Sequence, residues 1–135
     1  MRLMILTACL LCVIPCASAQ NNVQVTTGND LMQKCKFFFA DLTGNTPQTI
    51  TNKERIDMGY CAGYLDGATD VEQAWSWVEG TSSKATHFCL PNEATKGQML
   101  LVIKKWMEDH PAELHKQASI LIHEAFSNAF PCKTR

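Results

Sequence analysis

The stretch TNKERIDMGYCAGYLDGA, residues 51–68, decides the fold. Thr51 followed three residues later by Glu54 is a capping-box signature: the threonine side chain accepts a free amide of the first turn while the glutamate reaches back to the cap's own N–H. Behind that start, Cys61, Tyr64, Leu65 and Ala68 recur at helical spacing and mark a buried face. The spacing predicts a long helix that persists to about residue 77.

Working outward, the same signals repeat. Leu31, Cys35, Phe38, Phe39 and Leu42 fall on one helical stripe after Thr27 and Asp30, which predicts a helix over 28–42. Gly44-Asn45-Thr46-Pro47 then breaks the pattern. Residues 80–91 read as a loop, and Thr95 with Gln98 caps a third helix over 96–109 whose inward stripe is Met99, Val102, Ile103 and Trp106. Pro111 at a first helical position, with Glu113 behind it, starts a fourth helix of about twenty residues. Its inward side is Leu114, Ala118, Leu121, Ile122, Ala125 and Ala129, and Phe130-Pro131 ends it. Residues 21–26 are expected to fray, and neither strand-like alternation nor an internal repeat occurs. The fold class is all-α, a compact bundle of four helices or slightly more.

The first nineteen residues stand apart. Met1-Arg2 gives a positive start, residues 3–15 are almost wholly apolar, and Ala17-Ser18-Ala19 supplies the small-x-small pattern of a cleavage site. An apolar run of about fourteen residues is too short for a hydrocarbon core of roughly 30 Å. The expected organisation is a cleaved signal peptide, 1–19, and one domain, 20–135, exported to the periplasm. Lipidation is the lesser alternative: a cut before Cys9 leaves a very short leader, and Pro15 spoils the site before Cys16. Arg2 is the leader's one charged residue, so the remaining chain holds 11 basic and 13 acidic side chains, a net charge of −2. That balance provides no electrostatic footprint for nucleic acid or an anionic membrane.

Four cysteines remain after the leader: Cys35, Cys61, Cys89 and Cys132. In an exported chain an even number of cysteines means disulfides. At a rise of about 1.5 Å per residue, Cys35 lies roughly 10 Å before the turn near residue 47 and Cys61 roughly 13 Å after it, so an antiparallel hairpin sets them level. A fourth helix of roughly 30 Å overshoots a third of roughly 21 Å by what the chain from Cys89 to Thr95 spans, which places Cys132 beside Cys89. The expected bridges are Cys35–Cys61 and Cys89–Cys132.

Gly59, Gly63 and Gly67 recur every four residues along one side of the long helix. Each costs about 1 kcal/mol relative to alanine in a helix interior, so a close approach by another group is expected to offset them. Packing within the bundle is the simpler source and a groove between subunits the other. Asp57, Asp66 and Asp70 on the same helix exclude a membrane reading of the spacing. Phe37, Phe38 and Phe39 cannot share one face, so one of them is expected at an interface.

Catalytic and metal readings find little support. His110 sits at a helix cap, and His115 and His123 are eight residues apart, so no metal set forms. His87 next to Cys89 resembles a thiol and its base, but the expected bridge consumes that sulfur. Glu113 and Glu124 are three turns apart and make no acid–base pair. There is no phosphate loop or serine elbow, and no cofactor is expected.

Several stretches together resemble the Rap1a/Tai immunity proteins: Gly59-Tyr60-Cys61-Ala62-Gly63-Tyr64 with Asp66-Gly67, Phe88-Cys89-Leu90-Pro91, Thr95-Lys96-Gly97-Gln98, His110-Pro111-Ala112-Glu113-Leu114-His115, and Ala129-Phe130-Pro131-Cys132. The resemblance implies an all-helical periplasmic protein, usually a homodimer, that is not an enzyme. It implies a partner too, a peptidoglycan amidase delivered by type VI secretion, which the immunity protein binds and blocks. An inhibitor of that kind needs a rigid protrusion to fill a groove. The expected protrusion comprises Trp75, Trp77, Glu79, Gly80, Thr81, Ser82 and Ser83: two aromatic anchors and a polar tip. The turn at 43–49 is a second candidate. The alternative reading is a periplasmic helical protein of the same fold with a chaperone-like or other partner-binding role, since fold does not fix function.

Overall fold

The structure, a computed structural model, describes residues 24–79 and 88–132, with the side chains of 75–79 left outside that description; the leader also lies outside it. Among the described residues four α-helices follow one another: α1 (Gly28–Leu42), α2 (Asn52–Glu79), α3 (Lys96–Asp109) and α4 (Ala118–Ala129). Each of the three capping boxes read from the sequence closes as expected. Thr27 Oγ1 accepts from Asp30 N at 3.2 Å, Thr51 Oγ1 from Glu54 N at 3.3 Å and Thr95 Oγ1 from Gln98 N at 3.2 Å. The returning carboxylates and amide accept from the cap N–H groups. Past the end of α1, Gly44 takes φ +74°, the left-handed conformation in which glycine carries no side-chain penalty.

The core lies between α1, α3, α4 and the first half of α2. Leu31, Cys35, Phe39, Leu65, Leu100, Ile103, Met107, Leu121, Ile122 and Phe126 are buried together. Two stripes differ from expectation. In α3 the fully buried residues are Leu100, Ile103 and Met107, with Met99, Val102 and Trp106 at the margin. In α4 Phe126 is buried while Ala129 is exposed. Of the three consecutive phenylalanines Phe39 is buried and Phe37 and Phe38 half-buried, so none is exposed.

The fourth helix starts later than its proline signal. Pro111–Glu113 makes one 3-10 turn, and α4 begins at Ala118 after a break. The break serves the start of α1. The first amides of a helix lack partners of their own; here Gly28 N donates to Lys116 O (3.0 Å), Asn29 N to Leu114 O (2.9 Å), and Ala118 N returns a bond to Thr26 O (2.8 Å). A continuous helix through 114–117 would have used those carbonyls internally. Gly28 is the glycine this contact demands, because a Cβ there would lie 3.0 Å from Leu114 O and collide with the Leu121 side chain.

The bridges join Cys35 to Cys61 and Cys89 to Cys132. The first pins α1 to α2 in the core. The second forms although α4, at 12 residues, is shorter than α3 at 14, so the length difference that predicted the pair is absent. Its level is set by Cys89 N, which donates to Phe130 O at 2.8 Å, and by Phe88, whose ring meets Phe126 edge-on at 5.2 Å. In the chain-entropy account, bridging residues 26 and 43 apart contributes roughly 3 to 4 kcal/mol each.

Candidate partner-binding surface

α2 has 28 residues and spans roughly 42 Å, about twice each of the other helices. Its inner part is tied down. Cys61 and Leu65 are buried, and Asp57, 6 % exposed, is clamped by Lys34 Nζ of α1 and Lys53 Nζ, each at 2.6 Å. Those hydrogen bonds, from Lys34 first and then Lys53, hold the Asp57 carboxyl below the usual carboxylate range. Farther along, Lys96 of α3 pairs with Asp66 at 2.7 Å. Asp70, Val71, Gln73 and Ala74 are exposed, Asp70, Glu72 and Gln73 line a cleft with Phe88, Cys89 and Leu90, and the helix continues to Glu79. Of the expected protrusion, Trp75, Trp77 and Glu79 are on this outer end of α2 with their side chains outside the described residues, and Gly80, Thr81, Ser82 and Ser83 lie wholly outside them. The turn at 43–49, the second candidate, is exposed throughout.

An apolar groove of about 470 Å³ opens between α2 and α4, lined by Gly63, Tyr64, Gly67, Val71, Phe88 and Ile122 among others. Burial raises the Tyr64 phenol above its ordinary pKa, opposed by hydrogen bonding with Ser119 of α4. His123 meets the Phe88 ring edge-on at 6.0 Å.

A Cβ built on Gly59, Gly63 or Gly67 meets nothing within 4 Å, and all three are exposed. Cys61 and Leu65 turn the opposite side of α2 to the core, while Gly63 and Gly67 border the groove between α2 and α4. Among the described residues no group approaches closely enough to offset the cost of about 1 kcal/mol per glycine.

The remaining polar side chains occupy separate places. His110 stacks on Trp106 with ring centroids 4.1 Å apart and its Nδ1 lies 2.7 Å from Trp106 O; His115 Nδ1 is 3.0 Å from Ala112 O. All four cysteines after residue 19 are in bridges, and His87 lies outside the described residues. Among the described residues, no three His, Cys, Asp or Glu side chains gather as a metal site and no helix is long and apolar enough to cross a membrane.

A stapled helical bundle with one overlong helix is the setting in which the family resemblance is tested. A family model described as Rap1a immunity proteins matches residues 27–132, from the cap of α1 to the last bridged cysteine. The chain belongs to the Rap1a immunity proteins. No curated protein and no solved structure matches it. The matched span takes in the caps at Thr27 and Thr95, both bridges and the segment that receives the start of α1. Sequence reasoning missed Gly28, whose crowding comes from residues nearly ninety positions away and leaves no local signal.

Proposed function

We propose that this Rap1a protein is a periplasmic immunity protein that binds a peptidoglycan amidase delivered by type VI secretion and blocks its active-site groove. The observation that carries the reading is the family match over 27–132. The outer end of α2 supports the mode of action, since a helix stiffened by its own hydrogen bonds and anchored by Cys61 and the Asp57 clamp presents its tip with little ordering left to lose on binding. On this reading residues 1–19 are a cleaved signal peptide, Trp75, Trp77 and residues 79–83 are the contact, and the working form is a homodimer. The protein obstructs an enzyme and catalyses nothing itself.

The test is direct. The purified protein is mixed with the amidase encoded beside it, and peptidoglycan digestion is followed by turbidity and by release of soluble fragments. Digestion falls toward zero at one binding equivalent; undiminished digestion at tenfold excess rejects inhibition. Trp75→Ala and Trp77→Ala are expected to weaken inhibition by one to two orders of magnitude, as loss of aromatic anchors does. Unchanged inhibition by both would move the contact elsewhere.

A further inference from the structure

We propose that the groove between α2 and α4 receives a segment of the partner enzyme's own chain, one that carries an apolar side chain beside a lysine or arginine. The inference rests on the proposed function for the existence of that partner. It adds a second half to the contact: besides presenting the end of α2 to the enzyme, the protein holds a piece of the enzyme in return.

The way the helices pair leaves this space. α2 packs chiefly on α1 and α4 chiefly on α3, so α2 and α4 touch each other little. The groove that remains is open to solvent, with Gly63, Gly67, Ala68 and Val71 on the α2 wall facing Ser119 and Ile122 of α4. A Cβ built on Gly63 or Gly67 enters open space, so the two glycines set the depth of the groove, and long side chains at either position would fill it. With no side chain in the way another backbone can come close to α2 there, an approach that offsets what glycines cost a helix.

The choice of occupant comes from charge and shape. Phe88 and Glu72 line the groove and also the neighbouring cleft of about 380 Å³, whose other walls include Asp70, Gln73, Cys89 and Leu90. The two spaces therefore meet across one ring and one carboxylate. Together they follow α2 from Gly63 to Gln73, roughly 15 Å, the length of four or five residues of extended chain. Their character changes on the way: the groove is apolar, whereas the cleft holds the carboxylates of Asp70 and Glu72. Among the described residues no lysine or arginine lines either space, and His123, on the α4 wall of the groove, is the one side chain there able to take positive charge. Lys96, the lysine that α3 offers to α2, is bound to Asp66 at 2.7 Å. An occupant that complements both spaces sets an apolar group against Gly67 and a cation against Asp70. An enclosed pocket suits a small molecule; an open groove walled by bare backbone suits a peptide segment, which brings its own backbone against the glycines. Both spaces lie toward the outer end of α2, so a segment held there and the contact proposed at Trp75 and Trp77 form one continuous surface.

The experiment is calorimetric titration of the amidase encoded beside this chain with the purified protein and its variants. Thermal melts, sedimentation equilibrium and binding of dodecylamine, a small cationic amphiphile, are measured on each variant alone. Gly67→Leu is expected to weaken amidase binding about a hundredfold while leaving the melt unchanged or higher, because the side chain enters open space and removes a helix glycine. Gly59→Leu makes the same exchange outside the groove and is expected to keep the affinity within about twofold. Asp70→Lys is expected to cost about tenfold at about 50 mM salt and only about twofold at about 500 mM, because the interaction it reverses is screened. Full affinity in Gly67→Leu and Asp70→Lys would overturn the groove as a contact while inhibition by the wild type stands, and loss in one of the two alone would overturn the pairing of apolar and basic groups. A Gly67→Leu protein that changes in self-association or in dodecylamine binding, and not in amidase affinity, would give the groove to a second copy or to a small amphiphile and overturn the proposal equally. An amidase that the wild type neither binds nor inhibits would remove the partner and the groove's role together.

Discussion

The two disulfides close loops of comparable length in opposite surroundings. Cys35 and Cys61 are 1 % and 0 % exposed and form part of the core, whereas Cys89 is exposed and Cys132 half-buried at the edge. Chain entropy ranks the second bridge slightly higher, since its residues are 43 apart against 26. Packing ranks the first higher, because its sulfurs also fill the space between α1 and α2. Each bridge closes its own hairpin, and among the described residues the joint between the hairpins is made of hydrogen bonds, the Lys96–Asp66 ion pair and side-chain contact, with no covalent link. Stability in this molecule therefore divides into covalently limited halves and a seam that must hold by fit.

The largest effect expected is that of Cys35→Ala with Cys61→Ala, a loss of roughly 4–5 kcal/mol in urea unfolding from the lost cross-link and the space left in the core. Cys89→Ala with Cys132→Ala is expected to cost about 3 kcal/mol; a larger loss than from the first pair would show that loop length outweighs surroundings. The same contrast predicts that dithiothreitol under native conditions reduces Cys89–Cys132 well before Cys35–Cys61, read by mass after thiol alkylation. At the seam, Gly28→Ala is expected to destabilise by about 1–3 kcal/mol through overpacking against Leu114 and Leu121, although alanine is the better helix former. A neutral result there would mean the seam gives easily.

The acid limb sharpens the comparison from inside the first hairpin. The Asp57 carboxyl is held below its ordinary 3.8, so its contribution is present in full above about pH 5 and disappears as the pH falls through the lowered folded value. Asp57→Asn should flatten the urea-midpoint profile between about pH 5 and pH 2 while changing its shape little above. The smallest effect belongs to the exposed pair Lys104–Glu108 along α3, where Lys104→Ala is expected to cost no more than about 0.5 kcal/mol.

What the sequence revealed is what local chemistry encodes. Three of the four helix starts rest on a Thr and an acid or amide three residues on, a signal complete within four positions, and all three are where that signal puts them. Pro111 obeys the same logic and does begin a helical turn, but the continuation to α4 was cancelled by a distant demand, the unpaired amides of Gly28 and Asn29. Met107 and Phe126 were missed because a period of 3.6 defines a face only to within one position, and contacts from other helices decide which edge is covered. The glycines show the same limit at the candidate surface. Their spacing predicts a close approach to α2, and among the described residues nothing comes within 4 Å of a Cβ built at Gly59, Gly63 or Gly67.

Cys35 pairs with Cys61 and Cys89 with Cys132, so each bonded pair is consecutive among the four. A chain threaded amino end first into an oxidising compartment presents its thiols in that order. Joining each new arrival to the one still waiting produces the native set, and no mispaired species has to be undone by isomerisation. Maturation of such a molecule needs an oxidant and little else.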